Sequence, residues 1–235
     1  MSGAGVILAT VHIVDDDEMV RDCLADMAQD AGYPVRTHAT AEAFLAAAAL
    51  SDAGCVVVDV NLPGMDGLDL MDRIGGRDPD LPVIVVSGAG KVGPAVAAMK
   101  GGAFDFIQKP VTREAFARCL AAASDHRRAR LAERRALERL QLLAARLSDR
   151  EWAVMTLITA GASNHEAAAR LGISVRTVEN HRARVMEKMG ASNLSELIRL
   201  ALKLGVAPLG AQAPERARGA DPGREGEGET SLGSW

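Results

Sequence analysis

Apolar and polar positions along this chain follow two periods. Before residue 120, short β-branched runs alternate with longer stretches whose apolar residues recur every three or four positions. The short runs predict strands near 11–14, 35–38, 55–59, 83–86 and 104–107. The longer stretches predict helices near 18–31, 41–49, 66–74, 91–100 and 112–124, with Gly32, Pro63, Gly64, Gly75, Gly76, Gly101 and Gly102 as turns and stops. Such alternation marks repeated βαβ units, so the predicted class is α/β: a doubly wound five-stranded parallel sheet.

The period then changes. Residues 121–146 are rich in Ala, Leu, Arg and Glu and contain no Gly or Pro, which predicts a helical connector. Leu131, Leu137, Leu140, Leu143 and Leu147 give it a partial apolar stripe, too broken to argue for a coiled coil. Ser148 with Glu151, and Ser163 with Glu166, have the spacing of capping boxes, and Ser174 and Ser192 stand where two further helices would begin. Helices near 149–160, 164–171, 175–189 and 193–204 make a small all-α helix-turn-helix unit. After Gly205 little is apolar, which predicts disorder. The predicted domains are therefore 1–124, a linker at 125–146, 147–205, and a tail at 206–235.

Composition narrows the class. The chain is 48% hydrophobic, enough for a globular core, but its longest apolar run, Ala43 to Leu50, is far too short to span a bilayer. Met1 to Val11 lacks the basic start and apolar length of a secretory signal. Both observations predict a cytoplasmic protein with no membrane partner. Cys23, Cys55 and Cys119 lie far apart in apolar stretches and read as core residues rather than a disulfide or zinc frame. The net charge of −4 hides an uneven distribution. Residues 1–120 carry 9 Lys and Arg against 17 Asp and Glu, residues 121–145 carry 6 against 3, and residues 146–205 carry 9 against 6. An acidic half joined to a mildly basic one suits a regulatory module attached to a nucleic-acid binder.

Candidate chemistry sits at the ends of the predicted strands. The first ends on Asp15 and Asp16, the third on Asp59, the fourth on Ser87 and the fifth on Lys109. In an open parallel sheet these ends share one edge, where ligands bind. Three carboxylates suit a hard cation such as Mg²⁺. Lys109 then faces an incoming phosphoryl group, Ser87 supplies a hydroxyl, and Asp59 on the central strand is the natural nucleophile. Asp17 and Glu18 are better explained as serving the next helix N-terminus.

In the second half, Ala168, Gly172 and Val178 stand at helix-turn-helix spacing: Ala allows close approach, Gly allows the turn, and Val fills the joint. On the second helix Val178, Val185 and Met189 share a face. Arg176 and Asn180 point away from it, flanked by Thr177, Arg184 and Lys188. Arg and Asn suit base edges, while Lys, Arg and Thr suit phosphates, so the expected partner is double-stranded DNA. His181, with no second ligand nearby, fits packing or a phosphate contact better than a metal. Seven aromatics are too few for a single-strand stacking platform.

These segments carry a resemblance. Val14 to Asp17, Asp59 to Gly67, Ser87-Gly88 and Lys109-Pro110 resemble the receiver domain of two-component response regulators. Leu147 to Glu151 and Ile173 to His181 resemble the LuxR-type helix-turn-helix, and together the halves are similar to the FixJ branch. The resemblance implies that Asp59 accepts a phosphoryl group from a histidine kinase. It implies that Asp15, Asp16, Asp59 and the carbonyl of Asn61 organise Mg²⁺. It also implies a switch pair of Ser87 and Phe106, Lys109 on the phosphate, and a cis peptide before Pro110. DNA contacts would come from Ser174, Arg176, Thr177, Asn180, His181, Arg184 and Lys188. A homodimer forming on phosphorylation, and RNA polymerase as a further partner, are implied as well. His165 stands where a basic residue is frequent in the family. The rival readings are a Mg²⁺-dependent phosphoaspartyl hydrolase, for which Asn61 replaces the expected second acid, and a receiver that only binds proteins.

Overall fold

The structure, a computed structural model, describes residues 9–47, 53–88 and 92–206. The predicted tail from 207 onward and the start of the fourth predicted helix at Lys91 lie outside them. Five strands and nine helices are present among the described residues. The strands are β1 (Thr10–Val14), β2 (Val35–His38), β3 (Ala53–Asp59), β4 (Val83–Ser87) and β5 (Asp105–Gln108). All pair in parallel in the order β2-β1-β3-β4-β5. The five helices that accompany the sheet are α1 (Glu18–Asp30), α2 (Ala41–Ala47), α3 (Gly67–Arg77), α4 (Val92–Lys100) and α5 (Arg113–Ala144).

The two-residue period of the strands sorts their side chains into two cores. Val11, Ile13, Cys55, Val57, Ile84 and Val86 meet Leu24, Ala25 and Ala28 of α1 and Phe116, Leu120 and Ala123 of α5. Their neighbours Val14, Val56, Val58, Val83 and Val85 meet Phe44 of α2, Leu70 and Ile74 of α3, and Ala98 of α4. Every residue of β3 and β4 is buried, which is why these strands are continuously apolar rather than alternating. Asp17 is the N-cap of α1, its side chain accepting the N–H groups of Met19 and Val20, as its position implied.

Two expectations need correction. The predicted helix at 112–124 and the separate connector are one helix, α5, because nothing between Arg113 and Ala144 breaks the backbone pattern. The chain divides within this helix, into residues up to Ala136 and residues from Leu137 onward, a break inside the predicted linker at 125–146. Cys23 is exposed on α1, whereas Cys55 and Cys119 are buried as expected. Burial pushes the Cys55 thiol up to about 12. The Cys119 thiol is raised by burial and by Asp105, whose carboxylate accepts its S–H at 3.2 Å. A thiol reagent at neutral pH is therefore expected to label Cys23 alone in the folded protein and all three cysteines in denaturant. Labelling of Cys55 without unfolding would contradict this packing.

The second unit contains α6 (Asp149–Thr159), α7 (Asn164–Leu171), α8 (Val175–Met189) and α9 (Leu194–Lys203). Val154, Met155, Ile158, Ala167, Val178, Val185, Met189 and Leu197 form its core, with Leu140 and Ala144 of α5. Ser148 and Ser163 make the two capping boxes. At α9 the cap is Asn193 rather than Ser192, and the Ser192 hydroxyl instead donates to Glu196 at 2.6 Å. Among the described residues no helix is long and apolar enough to cross a membrane.

Candidate functional site

The switch in strand order between β1 and β3 places their carboxyl ends side by side. Asp15 follows β1 directly and Asp59 closes β3, and both are buried. From the end of β5, Lys109 reaches between them, its Nζ 2.7 Å from Asp59 Oδ1 and 2.9 Å from Asp15 Oδ2. The peptide from Lys109 to Pro110 is cis, as the resemblance implied. The other Asp59 oxygen accepts the Asn61 N–H at 2.6 Å. Ser87 is buried at the end of β4, and its carbonyl accepts the Lys109 N–H at 2.8 Å. Phe106, half-buried on β5, packs against the core cluster of α3 and α4. Asp15, Asp59, Ser87 and Lys109 are thus brought to one edge from sequence positions up to 94 residues apart.

The electrostatics follow from that crowding. Burial raises the Asp15 carboxyl above its ordinary value, against the opposing pull of Lys109 and the Asp17 N–H. Burial works to lower Lys109, but hydrogen bonds and charge from Asp59 and Asp15 lift it above its ordinary value. The site therefore holds a desolvated anion that favours a nearby cation. Asp16 is exposed, and among the described residues no three His, Cys, Asp or Glu side chains are grouped to hold a metal. The donor types nevertheless fit a hard cation: carboxylate oxygens from Asp15 and Asp59, with Asp16 adjacent.

Two further residues shape the site. Arg21, one turn into α1, donates through Nη1 to the carbonyls of Asp15 at 2.8 Å and Asp16 at 3.4 Å, fastening the loop that carries both acids. Its place near the helix start was a usable signal, since the first turns of a helix face the strand end before it. Glu42 of α2 accepts the Met65 N–H at 3.1 Å and so ties down the loop after Asp59. Nothing in the spacing of Glu42 and Met65 marks that contact.

In the second unit, α7 ends at Gly172, whose φ of 64° is the left-handed conformation a side chain would strain. Ala168 and Val178 are buried at the joint. The α8 cap Ser174 accepts the Thr177 N–H, and their hydroxyls lie 2.8 Å apart. Arg176, Asn180 and Arg184 are exposed, while Thr177 and His181 are half-buried. The His181 Nδ1 is buried without a hydrogen-bond partner, so packing sets the ring's inner edge. Lys188 departs from expectation. Its ammonium bonds Glu151 Oε2 at 2.6 Å and the Arg146 carbonyl at 3.0 Å, which turns it into the unit's own framework instead of outward.

Residues 11–121 match the response regulator receiver domain, and residues 145–201 match the bacterial regulatory proteins of the luxR family. The chain is 42% identical over 198 residues to the transcriptional regulatory protein FixJ of Azorhizobium caulinodans, covering 84% of this chain and 94% of that one. It is 43% identical over 199 residues to FixJ of Rhizobium meliloti, covering 85% and 98%. To the C4-dicarboxylate transport transcriptional regulatory protein DctR of Rhodobacter capsulatus it is 42% identical over 193 residues, covering 81% and 98%. Among solved structures, the response regulator StyR superposes with a TM-score of 0.73 at 32% identity, covering 83% of this chain and 98% of that one. These relatives are regulators, and the hydrolase alternative gains no support from them. With an acidic strand-end site in one half and a helix-turn-helix in the other, this chain belongs to the FixJ family of transcriptional response regulators, which join a receiver domain to a LuxR-type DNA-binding domain.

Proposed function

We propose that Asp59 accepts a phosphoryl group from the phosphohistidine of a partner kinase, and that this promotes dimerisation and promoter binding. The observation that supports it most is Lys109 bridging Asp15 and Asp59 at the sheet edge. In the transfer, the phosphorus–nitrogen bond of phosphohistidine breaks as an Asp59 oxygen bonds to phosphorus, and the imidazole leaves with the electron pair. Asp15, Asp16, Asp59 and the Asn61 carbonyl would hold Mg²⁺, which supplies charge neutralisation for the phosphoryl group. Phosphorylation adds roughly −1.5 to −2 charges. Lys109 then balances the new charge, Ser87 donates its hydroxyl to it, and Phe106 repacks behind Ser87. Two copies joined through their receiver halves place two α8 helices about one DNA turn apart. Arg176, Asn180 and Arg184 read or clamp the duplex, with Ser174, Thr177 and His181 at the edges of the contact. Lys188, held by Glu151, is left out of that set. The protein acts in the cytoplasm, with RNA polymerase as the downstream partner.

Sedimentation with Mg²⁺ and acetyl phosphate tests this. Wild-type protein is expected to gain one phosphoryl group by intact mass and to sediment as a dimer, and Asp59→Asn is expected to do neither. Labelling of Asp59→Asn would move the phosphoacceptor elsewhere. Labelling of the wild type with no change in sedimentation would remove dimerisation from the mechanism.

A further inference from the structure

Helix α5 changes its mode of attachment partway along. Up to residue 124 it is held by apolar burial, through Phe116, Cys119, Leu120 and Ala123. Over residues 125–136 the buried residue is Arg127, 2% exposed, with Leu131 half-buried and the rest exposed. Apart from a tilted ring contact of His126 with Phe104, centroids 5.2 Å apart, ions hold this stretch. Arg127 grips Asp78 with both terminal nitrogens, at 3.0 and 2.6 Å. One turn on, Arg130 Nε bonds Asp80 Oδ1 at 3.1 Å. A further turn on, Arg134 Nη1 lies 3.7 Å from Asp78 and 3.6 Å from Asp80. Asp78 and Asp80 are themselves buried, at 8% each. Their turn is stiffened by Pro79 and by the Asp80 N–H bonding Asp78 Oδ1 at 3.3 Å.

This cluster is a costly way to hold a helix. Desolvation offsets most of the attraction in a buried ion pair, so such pairs add little net stability while demanding one alignment. Arg127 Nε is buried with no partner, a further cost. What the cluster does set is position: three arginines on successive turns fit two acids in one register, whereas a greasy contact tolerates sliding. The acids also sit at a telling place. β4 begins three residues after Asp80 and ends on Ser87, and every residue between is buried. A close-packed strand transmits a shift at one end to the other, and a paired guanidinium–carboxylate contact loses alignment over a small displacement.

We propose that the Asp78-Pro79-Asp80 turn is a docking receptor for linker residues 125–136, and that this ionic attachment couples the phosphate signal to the DNA-binding half. The proposal rests on Asp59 being the phosphoacceptor. It also explains part of the charge pattern: three of the six arginines at 121–145 serve the receiver's own acids rather than nucleic acid.

Two double variants of the full chain test it, neither touching the acidic site. Arg130→Ala with Arg134→Ala removes the half-exposed contacts, and Asp78→Leu with Arg127→Met replaces the buried pair by apolar groups of similar size. Three quantities are read: phosphorylation of Asp59 by intact mass, hydrogen exchange over 125–136, and affinity with and without acetyl phosphate. The DNA probe is a duplex selected from a random-sequence library by wild-type protein. Both variants are expected to be phosphorylated like wild type and to exchange faster over 125–136. Their phosphorylation-dependent gain in DNA affinity is expected to fall about tenfold. Faster exchange with an undiminished gain overturns the coupling, and unchanged exchange in both variants overturns the docking. A wild type with no phosphorylation-dependent gain instead defeats the Asp59 mechanism and the coupling with it.

Discussion

Gly67→Ala is expected to dismantle the proposed phosphoacceptor site, although residue 67 carries no chemistry. Gly67 opens α3 behind its cap Asp66, and its N–H donates to the Val60 carbonyl at 3.0 Å. A Cβ at this position would lie 2.1 Å from the Asp59 carbonyl oxygen and 3.0 Å from Val60 Cα. Both obstacles are backbone at the end of a fully buried strand, so no rotamer change relieves them. Either α3 is pushed off, taking the loop from Val60 to Asp66 with it, or the end of β3 moves. In the second case Asp59 leaves Lys109 at 2.7 Å and the Asn61 N–H at 2.6 Å. Overpacking typically costs about 1–3 kcal/mol, and rigid surroundings put this case at the upper end. A displacement of about 1 Å at a reacting group can cost roughly a hundredfold in rate. Both a lower denaturant midpoint and a roughly hundredfold slower labelling by acetyl phosphate are expected. Gly101→Ala is the control, because its Cβ would meet the movable end of Met71 at 2.5 Å, and about 1 kcal/mol is expected there. Equal behaviour of the two variants would refute this account of Gly67.

Removing Glu151 is expected to be the most damaging single change in the DNA-binding unit. Its carboxylate accepts the Ser148 N–H at 2.8 Å and the Lys188 ammonium at 2.6 Å, and its own N–H completes the capping box on Ser148. Glu151→Ala leaves a cap donor and a half-buried ammonium short of their acceptor, a loss of about 3 kcal/mol. The same contacts predict a pH dependence. The hydrogen bond from Lys188, and then the one from Ser148, hold the Glu151 carboxyl at about 2, against an ordinary 4.5. A carboxyl lowered on folding stabilises fully above its unfolded value, so this contribution is complete above pH 4.5. It falls away as the pH drops toward about 2. Denaturant titration of the full chain, followed through Trp152 beside Glu151, is expected to show this loss in wild type and a flatter dependence in Glu151→Gln. An unchanged pH profile in Glu151→Gln would show that the pair carries none of the acid sensitivity.

The candidate site is largely legible in the sequence, for a reason visible in particular residues. Each candidate side chain of the receiver closes an apolar run, and a parallel sheet gathers such positions at one edge, so Asp15, Asp59, Ser87 and Lys109 could be placed together. The helix-turn-helix was equally legible, because Ala168, Gly172 and Val178 answer local steric demands. Lys188 turns inward to Glu151, which the sequence did not indicate, because helical spacing gives the direction of a side chain only roughly. Long side chains can bend back, and the buried carboxylate that drew this one lies 37 residues earlier. Cys23 was misplaced because apolar neighbours in sequence do not decide which side of a helix meets the sheet.

By itself the sequence determined what depends on short-range rules. Strand and helix periods, capping boxes, the glycine turns and the identity of the acids at strand ends all follow from local propensity and chain geometry. Tertiary structure alone decided which charges meet. Glu151 with Lys188, Arg127 with Asp78, and Arg21 with the carbonyls of Asp15 and Asp16 are pairings that many other acids and bases in the chain could have made on charge alone. Electrostatic attraction has no sequence period. Its outcome is set by which groups packing strips of water and holds within about 3 Å, and that is a property of the assembled fold.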